Sequence, residues 1–148
     1  MPFRFALAPL LRLRQSVERQ RALRLRATSL AVTRTQEALS RLEQFLADSA
    51  RSDQDALSAG RSAAELQFAS ASRDNLYVLR KDSQAELRRL ELGRQQAAEE
   101  YQRAYREREV LETLRTRQRH AYQQEQLQRE QHELDAAHLL RMWRNRLG

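Results

Sequence analysis

Apolar residues in the first third of the chain recur at spacings of three and four, which is the pattern of a helix that packs along one face. Two runs have this spacing: Leu23, Ala27 and Leu30, and then Ala38, Leu42 and Phe45, with Leu39 and Leu46 beside the second run. Arg34 and Thr35 separate them, as expected where a heptad pattern slips register. The pattern predicts a first helix from about residue 6 to about residue 50.

The composition changes between residues 47 and 75, where six serines, four aspartates and Gly60 accumulate. Serine and aspartate side chains offer the backbone hydrogen bonds that compete with a helix, and glycine adopts turn conformations at low cost. Few large apolar side chains are available there to hold a packed structure. We therefore expect a bend over about residues 51–73.

A second helix is predicted over about residues 74–146, with Ser72 or Asp74 as its N-cap. Its apolar line alternates steps of three and four after a first step of seven, and comprises Leu76, Ser83, Leu87, Leu90, Arg94, Ala97, Tyr101, Ala104, Arg108 and Leu111. Two helices of similar length joined by one bend fold back most simply as an antiparallel hairpin. We expect an all-α fold, a long two-helix coiled-coil hairpin that forms one domain over residues 1–148.

The composition agrees with long helices, because both prolines, Pro2 and Pro9, lie within the first ten residues. Alanine, leucine, arginine, glutamate and glutamine, which favour helices, dominate the rest of the chain. The absence of cysteine removes disulfide bonds, cysteine zinc ligands and thiol nucleophiles. The apolar runs are all shorter than the roughly 18 residues that a spanning helix needs, so we expect no membrane span.

The net charge of +7 is concentrated at the two chain ends. Residues 1–26 hold seven arginines and one glutamate, and residues 141–148 add three arginines, whereas residues 27–140 contain 17 basic and 19 acidic residues. An antiparallel hairpin would bring the two ends together. The sequence therefore predicts one basic tip, in which residues 141–148 fold back beside the N-terminal segment.

No motif predicts catalysis. His132 and His138 are six residues apart, whereas two zinc ligands on one helical face are four apart. Adjacent acids such as Glu99 and Glu100 point to different faces of a helix, and the chain has no glycine-rich phosphate loop. We expect a protein that is not an enzyme and has no catalytic residue, metal, cofactor or small-molecule substrate.

The basic ends leave several interpretations open. Clustered arginines bind nucleic acid by releasing counterions, although the chain has no recognition motif. A membrane-surface helix needs an apolar face opposite its charges, and the arginines of the N-terminal segment spread around the helix. An arginine-rich transit peptide is a third interpretation, which a hairpin with a full-length first helix disfavours. A coiled coil that self-associates is a fourth.

Both ends of the chain also resemble a known family. The opening Phe3-Arg4-Phe5-Ala6-Leu7, followed by Leu10-Leu11-Arg12-Leu13-Arg14 and Glu18, resembles the start of the FliJ family of flagellar export proteins. Residues 107–142 resemble the family's ending, a Glu-x-Leu-Glu-x-Leu type segment, a tyrosine and a closing Glu-Leu-Asp before small residues. Virulence-type secretion systems have related stalk proteins, and the two ends favour the flagellar branch.

The resemblance implies an antiparallel coiled coil, similar to the gamma subunit of rotary ATP synthases, that forms the cytoplasmic stalk of the type III export apparatus. It implies a role in flagellum biogenesis, motility and chemotaxis. The tip with both termini would enter the hexameric export ATPase. The tip residues implied by position are Phe3, Phe5, Leu7, Arg12, Arg14, Arg19, Arg21, Arg141, Arg144 and Arg146.

The resemblance also implies that the bend region contacts the cytoplasmic domain of the membrane-embedded export gate. The matching positions are Leu39, Leu42, Phe45, Leu76 and Tyr77, while Ser49 stands where the family often has a tyrosine. Amphipathic stripes usually pack inside their own fold, so only Leu39 and Leu46 are expected to remain exposed. Export chaperones are further partners, and nucleic acid is not expected. We expect a monomer or weak dimer, peripherally associated with the cytoplasmic side of the cell membrane.

Overall fold

The computed structural model describes residues 2–148 and contains two long helices, α1 (Ala8–Ser58) and α2 (Ala63–Leu147), and no strand in that range. The chain divides into two compact units. Unit 1 comprises the N-terminal residues up to Glu18 together with Arg103–Gly148, and unit 2 comprises Arg19–Gln102. The predicted all-α, antiparallel two-helix coiled coil is confirmed. The prediction of one domain stays a prediction.

In unit 2 the ion pairs and hydrogen bonds between α1 and α2 demonstrate the antiparallel arrangement. As residue numbers rise along α1, those of the α2 partners fall, through the pairs Arg21–Glu100, Gln36–Glu91, Glu43–Arg80 and Asp53–Arg73. The two helices therefore pack side by side in opposite directions throughout this unit.

The seam of unit 2, defined as the line of residues where α1 and α2 pack together, follows an unbroken alternation of three and four on α1. Its members are Arg21, Leu25, Thr28, Val32, Thr35, Leu39, Leu42, Leu46, Ser49, Asp53 and Ala56, all of which are at least half-buried. Val32, Leu46 and Ala56 are the most deeply buried, at 6%, 4% and 7% exposure. Small and polar residues in the line leave a thin core, as expected of two helices.

The register predicted for α1 was wrong except at Leu42, which lies in the seam. Leu23 is 65% exposed, Leu30 is 48% exposed and Phe45 is 56% exposed, whereas Leu46, expected at the surface, is buried. Leu39 is half-buried as well. The predicted line of α2 is correct except at Arg94, which is exposed while Gly93 beside it is half-buried.

The bend is much shorter than predicted, because α1 continues to Ser58 and α2 already begins at Ala63. Gly60 adopts φ +80°, a left-handed conformation that favours glycine. The Gly60 amide donates to the Leu57 carbonyl, and the Arg61 amide donates to the Ala56 carbonyl at 3.3 Å. These are the two hydrogen bonds of a Schellman cap, which satisfies the last carbonyls of α1.

The start of α2 is also capped. The amide of Glu65 donates to the hydroxyl of Ser62 at 3.4 Å, and Glu65 places negative charge at the positive end of the helix dipole. Ser62 is therefore the N-cap. The predicted caps Ser72 and Asp74 lie inside α2 instead.

Candidate functional site

The N-terminal segment of unit 1 packs onto α2. The rings of Phe3 and Tyr122 lie 5.7 Å apart at an angle of 46°, which is a favourable aromatic arrangement. Phe3 and Phe5 are half-buried and line a small pocket with Leu11, whereas Leu7 is 39% exposed. Of the three apolar residues predicted for the tip, only Leu7 is largely free for a partner.

The four α1 arginines predicted for the tip divide into two kinds. Arg14 lies 2.5 Å from a carboxylate oxygen of Glu107 in unit 1, and Arg21 lies 3.1 Å from Glu100 in unit 2. These two side chains are engaged in holding α1 to α2. Arg12 in unit 1 and Arg19 in unit 2 are both exposed.

The C-terminal arginines Arg141, Arg144 and Arg146 are exposed on α2. Arg141 lies 19 residues beyond Tyr122, roughly 28 Å along the helix at 1.5 Å per residue. Every residue from Leu127 to Gly148 is exposed, and we call residues 127–148 the C-terminal overhang. The predicted folding back of residues 141–148 beside the N-terminal segment is therefore wrong, because α2 extends past the point where that segment packs.

The residues predicted to bind the export gate also divide by exposure. Leu39, Leu42 and Leu76 are half-buried in the seam of unit 2. Phe45 is 56% exposed and Tyr77 is 46% exposed. Tyr77 lines a shallow groove of about 340 Å³ together with Glu43, Leu46, Ala47, Ala50 and Arg80.

Sequence reasoning missed several exposed apolar residues. In unit 2 these are Leu57, Phe68, Val78 and Leu79, and in the C-terminal overhang they are Leu139, Leu140, Met142, Trp143 and Leu147. Helical spacing could have identified the second group, since Leu140, Trp143 and Leu147 follow one another at steps of three and four. The first group carries no comparable signal.

The most sheltered polar contact of unit 1 is the ion pair between Glu18 and Arg108, whose side chains are 17% and 20% exposed. The Arg108 guanidinium also lies 3.2 Å from Glu109 and 5.1 Å from the ring centre of Tyr105. Burial disfavours the charged form of Arg108, but the hydrogen bond and charge of Glu18, together with the charges of Glu109 and Tyr105, outweigh burial and raise the pKa of Arg108. Arg108 therefore stays positively charged at neutral pH in the line where α1 and α2 pack in unit 1, which we call the seam of unit 1.

The described residues offer no group of histidine, cysteine, aspartate or glutamate side chains that could hold a metal ion. The pockets described above are shallow surface grooves beside the helices. Across residues 2–148, helices with enough length and apolar character to cross a bilayer are absent. The surface carries charged groups and exposed apolar side chains, which suit contacts with macromolecules.

The fold and these surfaces define an antiparallel two-helix coiled-coil protein whose exposed features are basic and apolar patches along its helices. A family model described as "Flagellar FliJ protein" matches residues 3–147, nearly the whole length. The chain therefore belongs to the FliJ family. No protein with a curated description and no solved structure matches the chain.

Family membership gives the coarse function. The chain is a stalk-type structural component related to flagellar protein export, and it associates with the flagellar export apparatus. The match to a flagellar family favours the flagellar branch over the virulence-type stalk proteins.

Proposed function

We propose that this protein is the cytoplasmic stalk of the flagellar type III export apparatus, which binds the hexameric export ATPase and couples it to the export gate. The family match over residues 3–147 carries this proposal. Its continuous helices of 51 and 85 residues suit a component that links two partners over a distance. A stalk of this kind needs no catalytic residue of its own.

The ATPase would bind the basic residues near the chain ends. In α1 these are Arg12 and Arg19, whose guanidinium groups are exposed, and in the C-terminal overhang they are Arg141, Arg144 and Arg146. Exposed charges speed association and set orientation more than they add affinity. Arg14 and Arg21 would contribute indirectly, because their ion pairs with α2 keep the two helices together.

The double charge reversal Arg12→Glu/Arg19→Glu is expected to weaken binding to the purified export ATPase about tenfold at physiological salt, mainly through slower association. The helix content should stay unchanged because both side chains are exposed. Surface plasmon resonance gives the association rate, and circular dichroism gives the helix content.

The matched control is Arg34→Glu/Arg41→Glu, which reverses two exposed arginines of α1 with the same spacing of seven residues. This control should bind the ATPase like the unmodified protein. Equal weakening by both double variants would show that only net charge matters. That result, or binding of duplex DNA with no binding of the ATPase, would overturn the proposed ATPase site.

The export gate would bind unit 2 through Phe45 and Tyr77, since these are the two most exposed of the five residues proposed for that contact. Aromatic side chains supply large contact areas and are enriched at the centres of interfaces. Leu39, Leu42 and Leu76 would act by holding the helices in register from within the seam.

Replacing both aromatic residues, Phe45→Ser/Tyr77→Ser, is expected to weaken binding to the purified cytoplasmic domain of the gate protein by about tenfold or more. The control is Phe68→Ser/Leu57→Ser, which removes side chains that are 77% and 63% exposed in the same unit. Isothermal titration calorimetry measures both affinities. Loss of gate binding in the control alone would assign the contact to Phe68 and Leu57 and reject Phe45 and Tyr77.

The same proposal includes escort of export chaperones, a cytoplasmic location with peripheral association at the membrane, and a monomer or weak dimer in solution. The support for these features is family membership.

A further inference from the structure

The last three turns of α2 carry an apolar stripe on one side. Ala136, Leu139, Leu140, Trp143 and Leu147 follow one another at steps of three, one, three and four, which places them within an arc of about 100° at 100° per residue. The four large side chains of this C-terminal stripe are between 58% and 82% exposed. An exposed apolar face of this kind marks an interaction surface.

Within residues 136–147 the charged residues all have one sign. No acidic residue follows Asp135, whereas Arg141, Arg144 and Arg146 all lie beyond it. Arg144 and Arg146 lie on opposite flanks of the stripe, about 80° to either side of its centre. Arginines in these positions can extend their charged ends away from the apolar face while their stems cover it.

An exposed apolar stripe flanked by arginines fits the surface of an anionic lipid bilayer. A helix that lies in the membrane interface has leucine and tryptophan on one face and basic residues at its border and opposite side. Tryptophan is favoured at the boundary between headgroups and acyl chains. A second copy of the chain paired in parallel fits less well, because it would bring Arg144 and Arg146 of each copy close to those of the other.

We infer that residues 136–147 of α2 bind anionic phospholipid surfaces, with the C-terminal stripe buried in the interface and Arg144 and Arg146 at the headgroups. This goes beyond the proposed ATPase contact and gives the protein a lipid contact of its own. Because Arg141, Arg144 and Arg146 also belong to the proposed ATPase site, one molecule would engage either a bilayer or the ATPase through this segment. Membrane binding is then a property of the protein before it joins the ATPase.

Trp143 is the single tryptophan of the chain, so its fluorescence reports on this segment alone. Full-length protein is mixed with vesicles of equal parts phosphatidylcholine and phosphatidylglycerol, and with vesicles of phosphatidylcholine only. With anionic vesicles the emission should shift to shorter wavelength and the protein should sediment with the lipid. Neutral vesicles should give neither effect, and high salt should weaken the binding.

The variant Leu139→Ser/Leu140→Ser should lose the emission shift and sediment with vesicles at least about tenfold less, because two anchoring side chains are removed. The matched control is Leu127→Ser/Leu134→Ser, on the opposite face of the same overhang. The two pairs are equally accessible, at 58% and 72% exposure in the variant and 58% and 71% in the control. The control should bind like the unmodified protein.

Arg144→Gln/Arg146→Gln should also weaken binding to anionic vesicles about thirtyfold, at roughly 1 kcal/mol for each arginine near the surface. The inference is overturned by equal losses in the two leucine variants or by equal binding to neutral vesicles. An emission shift that depends on protein concentration without vesicles would overturn it in favour of self-association.

The Arg12→Glu/Arg19→Glu variant separates this inference from the proposed function. It should bind the ATPase weakly and still bind anionic vesicles, because neither changed residue belongs to the C-terminal stripe. Vesicle binding without any ATPase binding would reject the ATPase proposal alone, and the reverse would reject the lipid site alone.

Discussion

Replacing Leu46 by alanine is expected to lower the free energy of unfolding by about 2–3 kcal/mol, whereas replacing Phe45 by alanine should change it by less than about 0.5 kcal/mol. Leu46 is 4% exposed in the seam of unit 2, and Phe45 beside it is 56% exposed. Truncating the buried leucine removes apolar contacts and leaves a cavity between the helices. Truncating the larger but exposed phenylalanine removes little buried area.

Urea denaturation followed by circular dichroism measures both variants, with the unmodified protein as the reference. Leu42→Ala, at a half-buried seam position, should give an intermediate loss. The opposite order, with Phe45→Ala the more destabilising, would mean that α1 packs in the register predicted from its apolar pattern and that the seam described here is incorrect.

The register of α1 could not be predicted because this helix carries two lines with three-and-four spacing. One line contains Leu23, Ala27 and Leu30, and the other contains Leu25, Thr28 and Val32. The first has the more apolar composition, but the structure buries the second. Periodicity within one helix identifies candidate faces, while the choice between them depends on which face complements α2.

Polar residues in the seam explain why composition misleads here. Asp53 pairs with Arg73, which is 20 residues away in sequence, and Arg21 pairs with Glu100, which is 79 residues away. Each charge looks unsuited to burial when its own helix is considered alone. A charged residue can be assigned to the seam only when its partner on the other helix is known. Partners so distant in sequence leave no local signal.

The bend illustrates the same difficulty on a shorter scale. Serine and aspartate between residues 47 and 75 suggested an irregular segment, yet the structure keeps most of it helical. The hydroxyl of Ser58 donates to the carbonyl of Gln54 at 3.2 Å within α1, and the Asp53 carboxylate accepts from Arg73. Alanine, the best helix former, supplies the seam there at Ala56. Of the residues singled out there, only Gly60 gave a correct local signal.

The candidate site was predictable in part. The sequence identified the arginines of the two chain ends, most of which the structure leaves exposed. The resemblance named Phe45 and Tyr77, and both are exposed, although the apolar pattern had placed Phe45 between the helices. The predicted bounds, about 6–50 and about 74–146, already made the second helix the longer one, and the structure gives 51 residues for α1 and 85 for α2. The predicted pairing of the two chain ends treated the helices as similar in length, and it failed because the end of α2 has no segment of α1 opposite it.

A double-mutant cycle on Glu18 and Arg108 is expected to give the second large effect. Glu18→Leu alone should lower the free energy of unfolding by about 2 kcal/mol, because Arg108 would keep its charge inside the seam without its main partner. Full burial would raise this loss further, but the two side chains retain 17% and 20% exposure, which lets water reduce the penalty. Glu109 remains 3.2 Å from Arg108 and compensates in part.

The double variant Glu18→Leu/Arg108→Leu should recover most of that stability, because a leucine pair fills the same layer of the seam without charges to desolvate. Urea denaturation of the two single variants and the double variant gives the coupling energy, expected at about 1–2 kcal/mol. The control pair is Glu86 and Arg89, neighbours on α2 whose side chains are 47% and 70% exposed. Its coupling should be much smaller, because both side chains are solvated. A coupling between Glu18 and Arg108 as small as that of the control would show that their layer is fully solvated and does not hold α1 to α2.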